Sequence, residues 1–165
     1  MKKLIVLFLI VVSSCSTSKN DLETEINFIY NSTSLDDFRI GSNKNILLVQ
    51  EMHKAIIDKD FEKAFTYLSD DFIVNNADGT SVEGLENFKS IFNEFYSDKT
   101  FSNYEVFVNI PLVAGSNNTE WVVLWDKIDV TDSNGITNTE NYQEAFRIKD
   151  GKINFLNQFA KPDIN

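Results

Sequence analysis

The strongest constraint on the fold is a change of hydrophobic period in the second half of the chain. There, apolar residues alternate with other residues, as in a strand that buries one of its two faces. The first such run holds Tyr104, Val106, Val108, Ile110 and Leu112. Turn-forming residues at 115–118, 132–135 and 150–151 separate four runs, and Asn134-Gly135 is a hairpin signal. Strands joined by hairpins are antiparallel, so we predict an antiparallel sheet of four long strands.

Three amphipathic helices precede these strands. Apolar residues recur at helical spacing through 45–57 and 61–68, and again from Gly84 to Phe95. Residues 72–83 predict a short hairpin between the second and third helices. Helices must cover one face of the sheet to bury its apolar side, so the fold class is α+β. A strongly curved sheet with three helices on its concave side leaves a conical cavity.

The composition supports a folded domain and excludes one class of partner. The 165 residues include 14 Phe, 5 Tyr and 2 Trp, which implies a large aromatic core or a cavity with aromatic walls. The formal net charge of -10 becomes -12 if the two positive charges of Lys2 and Lys3 are removed with a leader. Such a surface repels phosphates, and no cluster of Lys and Arg offsets it, so nucleic acid is excluded as a partner.

The first residues have the layout of a lipoprotein signal peptide. Lys2 and Lys3 precede an apolar run at 4–12, which rises only about 14 Å as a helix and cannot cross a bilayer core of roughly 30 Å. Val12-Ser13-Ser14-Cys15 looks like a lipobox, and Cys15 is the only cysteine. We predict cleavage before Cys15 and acylation of its thiol. The alternative is an ordinary signal peptide followed by a coincidental cysteine.

This leader defines three segments and a location. Residues 1–14 are the predicted signal peptide, residues 15–43 the lipidated cysteine and a polar tether, and residues 44–165 the folded domain. Acylation would anchor the domain to a membrane of the bacterial cell envelope. We expect the outer membrane, on its periplasmic side or at the cell surface. Less polar patches at 26–30 and 38–40 are expected to dock on the domain, since exposed Phe and Tyr are costly.

Several short motifs follow one another along residues 44–161. They are an acidic break before a helix, a Leu-Ser-Asp-Asp-Phe sequence, an Asp-Gly hairpin, a Gly-Leu helix start and a final Asp-Gly hairpin. They lie at residues 58–65, 68–72, 78–79, 84–88 and 146–153. This order resembles the nuclear transport factor 2-like (NTF2-like) superfamily, which includes SnoaL-like cyclases and ketosteroid-isomerase-like enzymes. The resemblance implies a cone-shaped domain and a homodimer, but it implies no particular activity.

The isomerase-like members use three side chains, and the resemblance assigns a position to each. The carboxylate base falls at Asn76, the tyrosine at Met52 and the late-strand acid at Glu144. Asparagine cannot accept a proton near neutral pH, and methionine has no hydroxyl group. Isomerase chemistry of that kind is therefore not expected. Whether the chain is an enzyme stays open, with Glu144 and His53 as weak candidates for catalysis.

His53 is the only histidine, and it allows two interpretations. It pairs with Glu144 as an acid–base dyad, as in the dehydratase-like sites of this fold, or it lies on the outer flank of its helix. The flank position is the favoured interpretation. Transition-metal sites usually use several His or Cys ligands, so we expect neither a metal site nor a cofactor.

Glu144 lies on a strand face that is otherwise apolar. It faces the cone, with Gln158 on the neighbouring strand as hydrogen-bond partner, or it faces outward, or it pairs with Arg147 or Lys127. Trp121 and Trp125 share one face of the preceding strand. They form a pocket wall for a flat apolar ligand, or they pack in the core or in a dimer interface.

Three functions are compatible with these features. In the first, the cone of an envelope lipoprotein binds a small apolar ligand. The residues that would contact it are Met52, Asn76, Trp121, Trp125, Glu144 and Gln158. In the second, the cone is filled by its own side chains and the outer sheet face serves interactions. In the third, Glu144 is the acid or base of a SnoaL-like cyclase or dehydratase.

Overall fold

The computed structural model describes residues 29–30, 38–115 and 117–162. The chain divides into two compact units, Met1–Asn31 and Ser32–Asn165. In the first unit, Ile29 and Tyr30 are 89% and 90% exposed, and residues 26–28 of the same patch lie outside the described residues. The predicted signal peptide, Cys15 and residues 31–37 lie outside the described residues.

The described part of the second unit contains three helices and seven strands. In chain order they are β1 (Arg39–Ile40), α1 (Asn43–Ile57), α2 (Phe61–Phe65), β2 (Leu68–Asn75), β3 (Ser81–Glu83), α3 (Leu85–Tyr96), β4 (Thr100–Ala114), β5 (Thr119–Thr131), β6 (Thr137–Lys149) and β7 (Lys152–Pro162). The long strands predicted from alternation are β4 to β7, and each pairs antiparallel with the next.

One sheet contains all of these strands, in the order β1-β4-β5-β6-β7-β2-β3. The four long strands are antiparallel as predicted. β2, which the sequence predicts only as part of a short hairpin, pairs with β7 in parallel, so the sheet as a whole is mixed. The hairpin argument concerns only strands that a tight turn joins. β2 and β7 are far apart in the chain, so no turn sets their relative direction.

The curvature of the sheet has a local cause in β4. Its pairing with β5 shifts register between Ser102 and Glu105 and again between Val106 and Val108. Bulges of this kind bend a strand and increase its twist. The sheet therefore wraps around the helices, which lie against its inner face.

The helices differ from the sequence prediction mainly at the end of α2. The periodicity predicts a helix through Leu68, but α2 ends at Phe65 and Leu68 begins β2. The next two backbone N–H groups bond to carbonyls three residues back, which tightens the last turn and ends the helix. Leu68 is buried in β2. An apolar residue at this position is compatible both with the end of an amphipathic helix and with a buried strand. Among the residues that the structure describes, no helix is both long and apolar enough to span a membrane.

The core lies between the three helices and the inner face of the sheet. Its largest fully buried side chains are Phe72, Phe146, Leu124, Ile153, Val49 and Val122. Phe88 and Phe92 of α3 meet Phe65 of α2 edge to face, with ring centroids 6.0 and 5.8 Å apart. An aromatic cluster between the helices and the sheet thus contains Phe61, Phe65, Phe72, Phe88 and Phe92.

Part of the segment predicted as a tether belongs to the folded unit. Arg39 and Ile40 pair with β4 as an edge strand, although Phe38 and Ile40 stay 52% and 75% exposed. The 38–40 patch therefore docks on the domain as predicted, but through its backbone. At Gly41 a Cβ atom would lie only 3.1 Å from the backbone of Leu112, so this close approach favours glycine.

Candidate functional site

Two acidic side chains are buried on the inner face of the sheet. Asp126 of β5 is 3% exposed and Glu144 of β6 is 5% exposed. Glu144 lies opposite Leu124 on one side and Gln158 on the other. Carboxylates are rarely buried without a partner, because removing their charge from water is costly. The two acids therefore mark a candidate site.

His53 of α1 approaches the same acids from the helical side. Its Nε2 lies 3.3 Å from Glu144 Oε2, and its Nδ1 lies 3.0 Å from the carbonyl oxygen of Val49. The imidazole stacks on Tyr104 with ring centroids 5.5 Å apart and meets the edge of Phe146 at 5.6 Å. One hydrogen bond and two aromatic contacts hold the ring in place.

Hydrogen bonds satisfy only part of this cluster. Gln158 Nε2 donates to Glu144 Oε1 at 2.9 Å. Glu144 Oε2, Asp126 Oδ1 and the Tyr104 hydroxyl are buried and have no aligned hydrogen-bond partner among the residues that the structure describes. The approach of His53 to Glu144 and that of Tyr104 to Asp126 are therefore electrostatic contacts rather than well-aligned hydrogen bonds. Burying an oxygen without a hydrogen-bond partner costs free energy. A hydrogen-bond donor or a cation would relieve this cost at the two carboxylate oxygens.

The tautomer of His53 follows from its contacts. A backbone carbonyl only accepts hydrogen bonds, so the Nδ1 atom that faces Val49 carries a proton. In the neutral imidazole, Nε2 then presents a lone pair to Glu144 Oε2, which is also an acceptor. Two facing acceptors repel each other, so a proton or another cation belongs between them.

Burial and mutual charge shift the pKa values of the cluster. Burial, and then the charge of Glu144, raise the pKa of Asp126 from 3.8 to about 6, against the effects of His53 and Tyr104. Burial alone would lower the pKa of His53, but the hydrogen-bonding and charge effects of Glu144, with Asp126 and Val49, raise it above 6.5. Burial and then Asp126 raise the pKa of Tyr104. Such perturbed groups are typical of functional sites.

Tyr96 of α3 and Tyr142 of β6 are half-buried near these acids. Burial, and then Glu140 and Glu144, raise the pKa of both phenols. The Tyr142 hydroxyl donates to Glu140, and the Tyr96 ring lies 5.9 Å from the Phe101 ring. The surroundings of the cluster are therefore aromatic, with hydroxyl groups.

The cluster is enclosed. Two surface depressions of about 640 and 320 Å³ lie elsewhere, the first beside Arg147 and the second beside Ser81, and no member of the cluster lines them. Among His53, Asp126 and Glu144, His53 is the most accessible, with 14% of its side chain exposed. A bound group must therefore be small, or the surrounding side chains must move to admit it.

His53, Asp126 and Glu144 also have the arrangement of metal ligands. Their ligating atoms all lie within 4.8 Å of one another. Imidazole and carboxylate together suit first-row divalent metals. The sequence-based expectation of no metal site counted histidines and cysteines, and it left out the buried Asp126.

No protein-family model and no curated protein matches the chain, whereas many solved structures do. An LEH-like epoxide hydrolase from M. tuberculosis superposes with a TM-score of 0.60 at 14% identity, over 73% of this chain and 84% of that one. A Delta 5-3-ketosteroid isomerase from Mycobacterium sp. gives 0.57 at 19% identity, over 69% and 90%. An NTF2-like protein of unknown function from Cytophaga hutchinsonii gives 0.50 at 14% identity, over 70% and 97%. The domain has the NTF2-like fold. At these identities the likeness extends to the fold alone.

The NTF2-like cone brings together Glu144, Gln158 and His53. Of the three placements of Glu144 that the sequence left open, the structure has the inward one, with Gln158 as hydrogen-bond partner. The favoured placement of His53 on the outer flank of its helix was wrong. His53 is one turn beyond the buried Val49 and adjacent to the buried Met52, so the inward stripe of α1 is wide enough to include it.

Glu144 pairs with neither of the bases considered from the sequence. Lys127 Nζ lies 3.2 Å from Glu105, and Arg147 Nε donates to Asn154 at 2.9 Å. Both basic side chains are therefore engaged away from the cone.

Trp121 and Trp125 lie on the opposite face of the sheet from Glu144. Directly opposed residues share a face, and Leu124 opposes Glu144 whereas Trp125 opposes Gln143. Trp125 is 43% exposed on that outer face. Their assignment to a wall of the same pocket as Glu144 was therefore wrong. In β5 the odd-numbered and the even-numbered residues are both largely apolar, so alternation alone did not identify which set faces the helices.

Met52 and Asn76 are held by contacts of other kinds. Met52 is 5% exposed and belongs to the hydrophobic core. Asn76 Nδ2 donates to Thr80 Oγ1 at 3.0 Å within the β2–β3 hairpin. Both side chains therefore have structural partners outside the acidic cluster.

Asp126 and Tyr104 are the site residues that the sequence analysis missed. For Asp126, the hairpin turn after β5 contained a signal that could have identified it as a site residue. The register of that hairpin pairs even-numbered residues with even-numbered residues, which puts Asp126 and Glu144 on one face. No comparable signal existed for Tyr104, because the bulges in β4 change which face its residues present.

Proposed function

We propose that this chain is an exported, lipid-anchored protein of the bacterial cell envelope whose NTF2-like cone binds a small molecule. The ligand would place a cationic or hydrogen-donating group on Asp126 and Glu144 and its apolar part against the surrounding aromatic rings. The observation that carries the proposal is the pair of buried carboxylate oxygens for which residues 38–115 and 117–162 provide no aligned partner. A donor from a ligand would relieve their desolvation.

Binding of small amines and alcohols to the full chain, purified in a nonionic detergent, tests this proposal. We expect at least one apolar amine to bind, and Glu144→Gln to weaken it about tenfold or more, the effect of losing a charge-assisted hydrogen bond. Glu105→Gln is the matched control, because Glu105 pairs with Lys127 and is exposed. Equal affinity in the wild type and Glu144→Gln would contradict the anchor role.

The geometry also favours a second candidate, acid–base catalysis. Two acids and an imidazole meet inside the cone, and the structural neighbours include an epoxide hydrolase-like protein and an isomerase. In this candidate Asp126 or Glu144 activates water or moves a proton, and His53 positions the acid. Hydrolysis of small epoxides that is abolished by Asp126→Asn and kept by Asp129→Asn would support it. Unchanged hydrolysis in Asp126→Asn would exclude it.

The outer face of the sheet has exposed apolar side chains that would suit a protein partner. Trp125 and Phe159 are 43% and 61% exposed, and both oppose Gln143 across neighbouring strands. Large apolar side chains grouped on a surface are typical of an interface. A second copy of this chain would cover them in a homodimer.

The anchor rests on the leader, where the lipobox ends at Cys15. Cells that express the full chain are labelled with radioactive palmitate. We expect label on the wild-type protein and none on Cys15→Ser, because the thiol accepts the diacylglycerol group. Label of equal strength on both proteins would exclude Cys15 as the anchor.

A further inference from the structure

We infer that His53, Asp126 and Glu144 bind one divalent transition-metal ion at the base of the cone. The inference goes beyond the proposed function, because the ion itself would neutralise the two carboxylates and would bind a lone pair of a ligand rather than a cationic group. Binding of the ion itself can be measured without any ligand.

The first support is geometric. The ligating atoms lie within 4.8 Å of one another, and the closest named pair, His53 Nε2 and Glu144 Oε2, is 3.3 Å apart. Bonds of about 2.0–2.2 Å to zinc put neighbouring ligand atoms roughly 3.4 Å apart in a tetrahedron. Small side-chain movements would therefore close the present triangle around an ion.

The second support is the set of unpaired lone pairs. With Nδ1 donating to Val49, the neutral imidazole aims a lone pair at Glu144. Within the described part of the chain, Glu144 Oε2 and Asp126 Oδ1 are buried and have no hydrogen-bond partner. Each of the three residues therefore offers a lone pair within 4.8 Å of the other two, and a divalent ion would satisfy all three and balance the two carboxylate charges.

The third support is the outer layer of contacts. Metal-bound histidines usually donate their other ring N–H to a carbonyl or carboxylate, and bound carboxylates usually accept a further hydrogen bond. His53 donates to the Val49 carbonyl, and Gln158 donates to the other oxygen of Glu144. Both ligands are thus oriented as they would be around a metal.

The chemistry of the ligands narrows the choice of ion. One nitrogen and two carboxylates suit Zn²⁺, Mn²⁺, Fe²⁺ or Co²⁺, whereas Ca²⁺ takes six to eight oxygens and Cu(I) prefers sulfur. Three protein ligands leave a position open for water or for a ligand. The Tyr104 hydroxyl, which lies near Asp126 without an aligned partner, would contact a molecule there.

The test uses the full chain, purified in a nonionic detergent with a tag that contains no histidine. After EDTA treatment and its removal, Co²⁺ is titrated by visible absorption, and Zn²⁺ content is measured by mass spectrometry. We expect one ion per chain in the wild type, in Asp129→Asn and in Cys15→Ser. Asp126→Asn and His53→Gln should weaken binding more than 100-fold, and Gln158→Leu about 10–100-fold. No ion in the wild type, or unchanged affinity in folded Asp126→Asn, would overturn the inference.

A second measurement needs no variant that might fail to fold. Since His53 is the only histidine, nitrogen coupling from an imidazole in the pulsed EPR spectrum of the Mn²⁺-loaded wild type identifies it as a ligand. Its absence in a loaded sample would overturn the assignment. Amine binding is then repeated with EDTA. Ligand binding without metal binding overturns this inference and leaves the proposed function, and metal binding without ligand binding does the reverse.

Discussion

Replacing Asp126 with asparagine should stabilise the metal-free protein at neutral pH and have little effect in acid. Asparagine has the shape of the protonated acid but never acquires the charge that burial beside Glu144 disfavours. The carboxyl titrates near 3.8 in the unfolded chain and near 6 in the folded one. Because the folded-state pKa is the higher one, the wild type loses stability as pH rises through this window.

The size of the effect follows from the two pKa values. One pKa unit is worth about 1.4 kcal/mol, so the change from 3.8 to about 6 sets an upper limit of about 3 kcal/mol. Glu144, His53 and Tyr104 face Asp126, and each contributes to the shift of its pKa. We therefore expect the free energy of unfolding of Asp126→Asn, relative to that of the wild type, to rise by about 1–3 kcal/mol between pH 4 and pH 7 and to rise no further above pH 7.

The free energy of unfolding is measured by urea titration of the full chain in nonionic detergent with EDTA, followed by tryptophan fluorescence. Asp129→Asn on the same strand is the control. Hydrogen bonds from Thr139 and then Asn103 lower the pKa of the half-buried Asp129, so its contribution to stability is present above the unfolded pKa and lost in acid. This control should therefore lose stability relative to the wild type as pH rises, the opposite trend.

Two results would refute this reasoning. If Asp126→Asn and the wild type differ by a constant amount, within about 0.5 kcal/mol, at all pH values, Asp126 does not carry a buried titrating charge. If both variants show the same trend with pH, the effect belongs to the net charge of the chain rather than to burial.

Three further predictions concern the core, the edge strand and the outer face. Phe72→Ala should lower the free energy of unfolding, measured by urea titration, by about 3–5 kcal/mol, because Phe72 is fully buried. Phe95→Ala, at a 58% exposed position, should lower it far less. Equal losses in the two variants would contradict the core assignment. Gly41→Ala should cost about 1–3 kcal/mol and speed hydrogen exchange at the Gly41 amide, because the new Cβ meets Leu112, and unchanged exchange would argue against the pairing of β1. Trp125→Arg should convert a homodimer to a monomer in light scattering, and an unchanged mass would exclude this face as the interface.

The sequence was a good guide where structure depends on neighbours in the chain. The alternation in β4 to β7 and the tight turns between them determine the antiparallel pairs, because a two-residue period and a hairpin are local properties. The parallel pairing of β2 with β7 depends on packing between distant segments. The sequence pattern carries no signal for it, so the prediction was confined to the four strands that tight turns join.

The site was harder to predict because it depends on which face of each element is inside. In β5 the phase with Trp121 and Trp125 and the phase with Leu124 and Asp126 are both rich in apolar residues. The larger aromatic area favoured the first phase, but the register with Glu144 selects the second. His53 was misplaced for a related reason, since the curved sheet buries a wider stripe of α1 than a flat one would.

Stability alone does not explain the cluster at the base of the cone. Replacing buried charged groups with apolar residues of similar volume is often neutral or stabilising, so a core built for stability would have little use for Asp126 and Glu144. Three kinds of partner can meet their unpaired oxygens: a proton, a metal ion or a donor group from a ligand. A metal ion binds deprotonated ligands, so its affinity should rise with pH over the range in which the empty site becomes less stable. The pH dependence of unfolding with EDTA and with added Zn²⁺ should therefore run in opposite directions if the cluster is a metal site, and in parallel if only protons occupy it.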